Sequence, residues 1–573
     1  MIPDTADVVI CGAGPVGLLI ALGLAQQGID TVIIEKRERR AQEALGRACT
    51  LYPRTLELLE QLDVADEMNQ VAFTGRTYAV YRDGKRQIRQ TWQSVLPYMD
   101  SSFHNYIMNL RQHKSESIFA SRYLADHGRA VHYEWELKGY DIDTSLADGH
   151  NVTVSVSNEA AGSRNIRCKY LVGADGGKSL VRELAGVTMG GTETTYKWVR
   201  MDGRMKTNMP EPNVMFASLE TKTHGNVLWL RLDNDAYRIG FALTPRLQEK
   251  YPDGPTQDQA VAEAVECLKP FELEIERVDW WTCYSVKQKV AQTMHKDDYI
   301  LLAGDAAHTH SSAFAQGMNT GVHDATNLIW KLAGTLKGWY KPGVLATYDT
   351  ERRGVALKLI SIDQRAAAAV SGDVPAEYGA LGLSVEEAMT SIFERNLAFT
   401  VGLGISYEAS VLNREPLAAT LLAGTRSPDA LLYAPGPAVP VRLHDITHRQ
   451  SRGRWTVLVF AGHTCCTRDG LVTLRRQLEA GEGAGDGVDT QRWSQAYQLA
   501  TVMVGSTWSP WDAFDGPSIG RLYFDKDGVA HARYGVYPDS GAIVVVRPDG
   551  IFAFAAPLHE LEKIWQYFDA IFA

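Results

Sequence analysis

Gly12-Ala13-Gly14-Pro15-Val16-Gly17 is the segment whose residue types and spacing point most directly to chemistry. Glycine allows a tight turn and lets backbone come close to a phosphate, and the N–H groups that open a helix attract an anion. Glu35, with Lys36 beside it, ends the next apolar run, where a carboxylate can hold the hydroxyls of a ribose. A plain glycine turn has the same pattern, and the motif by itself does not separate a nicotinamide dinucleotide from a flavin one. Two further segments bear on that choice. Gly173-Ala174-Asp175-Gly176-Gly177-Lys178-Ser179 precedes Arg182, and Gly304-Asp305-Ala306-Ala307-His308 leads to Gln316-Gly317-Met318-Asn319-Thr320-Gly321. Taken singly, Asp175-Gly176 also reads as a structural turn and Asp305 as a helix N-cap. His308 and His310 lack further ligands at metal spacing, so no metal site is expected.

These residues need strands and helices to hold them. Asp7-Val8-Val9-Ile10-Cys11 reads as a buried strand, Val16 to Gln27 as a helix stopped by Gly28, and Thr31-Val32-Ile33-Ile34 as a second strand, which makes one β-α-β unit. Pro53 to Leu62 and Gln112 to His127 read as helices. Asn151 to Ser157 alternates as a strand. From about Thr194 to Tyr284 strand-like runs dominate, among them Val227 to Arg231 and Tyr237 to Leu243, and predict a mainly antiparallel sheet inserted in the first domain. Tyr299 to Ala303 is an apolar run into Gly304, followed by a helix from about Gly317 to Lys337, and residues 350–425 read as helical. Arg426-Ser427-Pro428-Asp429 and Ala434-Pro435-Gly436-Pro437 mark a domain boundary.

Composition narrows the function class. The 573 residues, 45% apolar and 22% charged, suit two to four globular domains. A net charge of −10 without dense basic runs argues against a nucleic-acid partner. Seven scattered cysteines form no disulfide framework, and Cys465-Cys466 is not a CxxC pair. Val8 to Ala25 is apolar, but Asp4 and Asp7 precede it in place of a basic leader, and no stretch has the length of a membrane span. A cytoplasmic protein with reduced thiols and no membrane partner is expected.

The three glycine-bearing segments, in this order and with these gaps, resemble the FAD-dependent aromatic hydroxylases, the single-component flavoprotein monooxygenases typified by p-hydroxybenzoate hydroxylase and phenol hydroxylase, over roughly residues 6–370. The resemblance implies an α/β chain. Its parts are a Rossmann-like FAD-binding domain (1–185 and 286–425, the latter with a helical region), an inserted, mainly antiparallel substrate sheet (186–285) and a thioredoxin-like C-terminal domain without CxxC (426–573). It implies FAD and NAD(P)H as cofactors, O2 and a small phenolic or aromatic substrate as reactants, oxygen transfer from a flavin C4a-hydroperoxide, and a homodimer. Gly12, Gly14, Gly17, Glu35, Lys36, Arg47, Gln112, Asp175, Asp305, Gly317, Met318 and Asn319 are then the expected cofactor-binding residues. In such enzymes the counterpart of Asp305 meets the flavin ribityl chain, and the counterparts of Gly317 to Asn319 put N–H groups at the flavin pyrimidine edge. An exposed arginine and a helix-start glutamine are the plain alternatives for Arg47 and Gln112.

The chain departs from the phenol hydroxylase pattern at three places. Ser312 stands where proline is expected, Ala315 where glycine is common, and Cys49 where a loop aspartate helps the substrate hydroxyl ionise. Arg231 and Tyr237 are the expected catalytic pair. The departures leave open a flavin monooxygenase that performs epoxidation, Baeyer–Villiger insertion or ring cleavage on a polycyclic or polyene metabolite. A non-catalytic flavin-fold binding protein is the remaining alternative.

Overall fold

A computed structural model describes residues 2–43, 48–88, 93–436, 439–480, 493–505 and 509–573. The four residues of Val8–Cys11 are all buried, as a strand covered on both faces requires. This strand pairs in parallel with Thr31–Glu35 on one side and Tyr170–Gly173 on the other. Ile300–Leu302 continues the parallel sheet beyond Tyr170–Gly173, His132–Tyr133 extends it beyond Thr31–Glu35, and His295–Lys296 closes one edge antiparallel. The helix Pro15–Gln26, apolar on every face, packs against Gln112–His127 and Gln316–Leu336. At Gly23 the approach is so close that a Cβ would lie 2.5 Å from Ile329 Cδ1.

The second sheet has eight strands. Their order is His308–Thr309, Leu273–Ala291, Met189–Thr207, Tyr237–Ala242, Gly225–Arg231, Phe216–Thr221, Tyr78–Arg82 and Lys85–Arg86. All neighbours are antiparallel except Phe216–Thr221 and Tyr78–Arg82. The sheet is therefore wider than residues 186–285. The Tyr78–Arg82 strand comes from the preceding segment, and Leu273–Ala291 runs past the expected boundary because its far end, from Lys287 to Ala291, pairs with Met189 to Glu193. The helices Gly343–Val370 and Val385–Arg395 pack together, and the first of them also packs on Leu273–Ala291. Helix does not continue to residue 425. After Leu397–Thr400 the chain is irregular up to the strand Leu431–Tyr433.

The C-terminal sheet runs Pro440–Arg442, Leu431–Tyr433, Arg521–Asp525, Tyr497–Val504, Trp455–Gly462, Ala542–Val546 and Phe552–Ala556. One of its two apolar clusters is its own, and the other is shared. Trp330 and Tyr340, from the end of Gln316–Leu336 and the segment after it, join Trp455, Tyr567, Phe568 and Phe572 in the shared cluster. The Trp330 and Trp455 rings meet edge to face at 5.6 Å, and Trp455 Nε1 donates to Tyr340 Oη at 3.1 Å. Beside them a fully buried ion cluster crosses the same boundary. Glu351 accepts from Arg547 at 2.6 and 2.9 Å and from Lys331 at 2.7 Å, and Arg547 also binds Asp549.

Candidate cofactor and substrate site

The three glycine-bearing segments leave the carboxyl ends of adjacent parallel strands, the edge where ligands of such sheets bind. Each glycine of the first segment has its own reason. Gly12 has φ +102°, and a Cβ there would lie 2.4 Å from Ala174 O. At Gly17 a Cβ would lie 2.0 Å from Gly12 O, whereas at Gly14 it would meet nothing within 4 Å. Gly12 and Gly17 are fixed by the fold, and Gly14 lies open to the groove. Glu35 is buried at the strand end, and its two oxygens accept from Ala13 N–H and Arg37 N–H, both at 3.1 Å. Lys36 is exposed beside it.

Asp175 does structural work with one oxygen. Oδ2 accepts from Leu180 N–H at 2.7 Å and Val181 N–H at 3.2 Å, while Oδ1 is buried and receives no hydrogen bond from a described residue. Arg182 ties the second segment to the third by donating to Ala306 O and Gly177 O. Asp305 sits in a single 3₁₀ turn, Gly304–Ala306, and is exposed. The turn is held from behind by Asp324, which accepts from Gly304 N–H at 3.1 Å and engages His308 and Arg352, each at 2.7 Å. Burial raises the Asp324 pKa, but His308 and Arg352 outweigh it and bring it down to about 2. His308 thus serves a carboxylate, and among the described residues no group of three or more His, Cys, Asp or Glu could hold a metal.

Gln112 opens its helix and accepts from Ala48 N–H at 3.2 Å while donating to Glu116 at 2.8 Å. It pins the segment following Arg47, which lies outside the described residues. The helix Gln316–Leu336 begins at Ala315, which has φ +53°. Met318 is packed in the core, and Gly317 is half-buried. The Asn319 side chain is fully committed to protein. It accepts from Tyr52 N–H and Thr55 Oγ1 and donates to Thr50 O and Ala315 O, all between 2.7 and 3.0 Å. That uses its full hydrogen-bonding capacity, so this helix can meet a cofactor through the N–H groups of its first turn.

The eight-stranded sheet turns one face to this edge. Phe216, Ser218, Leu228, Arg200, Gly240 and Ala242 line a mainly apolar pocket of about 120 Å³, closed by Ser312, Ala313, Met389 and Phe393. Arg231 and Tyr237 are not in it. They are direct cross-strand partners on the opposite face. Tyr237 stacks on Trp229 at 4.8 Å and donates to Asn213 at 2.7 Å, and Arg231 binds Asn213, Asp235 and the Tyr237 hydroxyl. Strand side chains alternate faces, so a reading displaced by one residue puts the whole set on the wrong side. The arginine beside Cys49 is Arg238. Its Nη1 lies 3.1 Å from Cys49 Sγ, its Nε and Nη2 bind Asp202 at 2.6 and 2.8 Å, and its guanidinium lies 5.3 Å from the Trp280 ring centre.

Residues 5–363 match the family model described as FAD binding domain, and residues 405–573 match that described as phenol hydroxylase, C-terminal dimerisation domain. The chain belongs to this flavoprotein monooxygenase family. It is 27% identical over 617 residues to the FAD-dependent monooxygenase ankC of Aspergillus thermomutatus, covering 99% of this chain and 98% of that one. It is 28% identical over 638 residues to the 3-hydroxybenzoate 4-monooxygenase of Comamonas testosteroni, covering 99% and 95%. The crystal structure of the flavin-dependent monooxygenase PieE in complex with FAD and substrate shares the fold, with a TM-score of 0.73, 20% identity and full coverage of both chains.

The residues of this monooxygenase fit FAD. The open face of Gly14, the Glu35 carboxylate, the buried Oδ1 of Asp175, the exposed Asp305 and the first turn of Gln316–Leu336 follow the carboxyl ends of adjacent strands and are the kinds of donors and acceptors that a dinucleotide with a polyol chain needs. Next to this edge the flavoprotein carries a buried positive group and an inert thiol. Burial disfavours charge on Arg238, but the Asp202 carboxylate outweighs it, and the guanidinium is held more firmly protonated than usual. Burial pushes the Cys49 thiol up despite Arg238, so at neutral pH it is a thiol and not a base. Which of Arg231 and Arg238 lies on the strand face shared with the pocket is set by the strand register, and neither is among the residues lining it. Asp324 and Asn319 bind partners far away in sequence.

Proposed function

We propose that the enzyme uses NAD(P)H and O2 to hydroxylate a phenolic ring held between the inner face of the eight-stranded sheet and the flavin edge. The observation that carries this reading is the Arg238–Cys49 contact, which puts a buried cation where the phenol hydroxylase pattern has a carboxylate. Bound FAD supplies the redox centre that takes electrons from the nicotinamide and activates oxygen. Gly14, Glu35, Asp175, Asp305 and the first turn of Gln316–Leu336 bind and orient it. Arg238 offers its cation to the substrate oxygen and favours the phenolate, whose higher electron density assists attack at the ring. Cys49, protonated, is a spacer and not a proton acceptor. The phenol proton therefore passes to solvent or to the incoming reactants. Phe216, Leu228, Met389 and Phe393 exclude water around the ring. A pocket of about 120 Å³ is near the ~150 Å³ that accepts one benzene ring.

The strand order of the C-terminal unit, β-α-β followed by an antiparallel β-β-α, supports a thioredoxin-like reading, and its family supports a homodimer built through it. No helix among the described residues is long and apolar enough to cross a membrane. The deciding experiment is anaerobic reduction of the purified yellow protein by NADPH and NADH with and without a panel of phenols, followed by oxygen and product analysis. Reduction accelerated by a phenol, with one oxygen atom found in the product, is expected. A protein that binds flavin and takes electrons from neither nucleotide would overturn the proposal.

A further inference from the structure

Arg200 is a buried cation that forms no ion pair with any carboxylate among the described residues. It sits in the middle of the Met189–Thr207 strand, on the pocket face, 7% exposed. A guanidinium has five N–H donors. Among the described residues Arg200 uses two, from Nη1 to Val199 O at 3.0 Å and from Nη2 to Ser312 Oγ at 3.1 Å. Its guanidinium also lies 5.1 Å from the Trp198 ring centre. No carboxylate binds it. The acids at the pocket mouth, Glu220 and Glu386, both bind Arg82 instead. Buried guanidinium groups are ordinarily paired, because an unpaired buried charge is costly.

The surroundings are built to hold this arrangement. Gly240 lies directly across the ladder from Arg200, and a Cβ there would be 2.5 Å from Arg200 Cδ and 2.8 Å from Nη1. The absent side chain at 240 is the space the guanidinium occupies. Ser312 shares a 2.6 Å hydrogen bond with the Tyr284 hydroxyl while accepting from Arg200. A proline at 312, the residue of the related pattern, has no group to take this place.

We propose that Arg200, oriented by Ser312 and Tyr284, binds an anionic oxygen on the substrate, so that the substrate is an aromatic compound carrying an ionised oxygen in addition to the phenol to be hydroxylated. The inference rests on the function proposed above. Arg238 is cross-strand partner to Asp202, two residues along the same strand face from Arg200. Two strand residues span about 7 Å, a length one substituted ring bridges, with its phenol oxygen toward Arg238 and its second oxygen toward Arg200. Burial lowers the Arg200 pKa and so works against its charge, and an arriving anion relieves that cost. The second oxygen can be a carboxylate or an ionised ring hydroxyl. The chemistry recognised is the same.

The test uses the holoenzyme and two matched probe pairs: 3-hydroxybenzoate against 3-hydroxybenzyl alcohol, and resorcinol at a pH where one hydroxyl is ionised against 3-methoxybenzyl alcohol. Calorimetry measures binding whether or not turnover follows, and NAD(P)H oxidation with product analysis measures the reaction separately. Wild-type protein is expected to bind the ionised member of at least one pair ten-fold or more tighter. Arg200→Gln should abolish that difference, with affinity for the ionised probe falling about thirty-fold or more, at unchanged flavin content. Gly240→Ala and Ser312→Pro, which leave the charge in place but displace it, should reduce the preference, and Arg200→Lys should retain part of it. No preference for the ionised member in either pair, or a preference that survives Arg200→Gln, overturns the inference. Charge-selective binding without any hydroxylation would instead overturn the proposed reaction and leave the anion site standing.

Discussion

Replacing Arg238 by methionine separates what this side chain does for the fold from what it does for the reaction. The substitution keeps an apolar stem against Trp280 but leaves Asp202, 2% exposed, without its bidentate partner. Breaking a buried pair from one side costs about 3–5 kcal/mol. Removing the acid as well, in Arg238→Met with Asp202→Leu, replaces the pair by packed apolar groups, a change that is often neutral or stabilising. The double variant should therefore melt close to wild type, while the single variant melts several degrees lower. Catalysis should not recover with stability. A hydrogen bond from a charged donor to an anionic oxygen contributes about 1.5–3 kcal/mol, which is about 10- to 150-fold in rate. Both variants should lose that factor in the oxygen-transfer step. The acidic limb of their kcat against pH should also move upward, because the bound phenol must ionise without help. The assays are thermal denaturation of the holoenzymes and single-turnover hydroxylation after rapid mixing with oxygen. A double variant that is stable and hydroxylates at the wild-type rate would refute the role given to Arg238.

Gly14→Ala meets no protein atom within 4 Å, so it should fold normally and lose flavin affinity ten-fold or more. Gly17→Ala, 2.0 Å from Gly12 O, should lower the melting temperature of the apoprotein itself, and flavin titration with melting curves distinguishes the two. Asn319→Ala removes three hydrogen bonds between the helix start and residues 50–55 and a fourth to Ala315 O. At about 1 kcal/mol net each it should cost about 3–4 kcal/mol and weaken flavin retention, read by chemical denaturation and residual absorbance. Ala315→Gly relieves a left-handed backbone position worth about 1–2 kcal/mol, less the 0.4–1 kcal/mol of extra unfolded-state entropy at about room temperature, so a small gain in melting temperature is expected. Asp324 has its carboxyl lowered from 3.8 to about 2 in the fold. Its contribution of about 2 kcal/mol is present above pH ~4 and is lost as the pH falls through about 2. Asp324→Asn should therefore be less stable at neutral pH and show a flatter acid limb in equilibrium unfolding.

The cofactor edge was legible because it is local. A glycine motif, the strand before it and the helix after it lie within a few residues, so Val8–Cys11, Gly12 to Gly17 and Glu35 could be placed together, and the helix from Gln112 to His127 has the limits its sequence indicates. The substrate face was not legible. Whether Arg231 or Arg238 points inward depends on register across strands, and the pairing of Arg231 with Tyr237 is a property of the ladder. For the same reason the Tyr78–Arg82 strand gives no sign that, beyond its hairpin neighbour Lys85–Arg86, it joins a sheet of strands from Met189 onward or that its direct partner there is Phe216–Thr221. Asp324 looks like any acid in a helix until His308 and Arg352 are seen on it. The departures at Ser312 and Cys49 were visible in the sequence, but their meaning came from the side chains they touch, Arg200 and Arg238.

The aromatic cluster and the ion cluster shared across the C-terminal boundary bear on how far this chain can be cut or recombined. Family boundaries divide it near residue 405, as though the last part were a cassette. The physical seam lies elsewhere. A fragment ending there would bare Trp330 and Tyr340 and would leave the Lys331–Glu351 pair, 0% and 5% exposed, without the Arg547 that covers it. The apolar surface and this ion pair would be uncovered together. The last domain therefore acts as a wall of the cofactor domain. Grafting it from one relative to another should succeed only when Trp330, Lys331 and Glu351 travel with it.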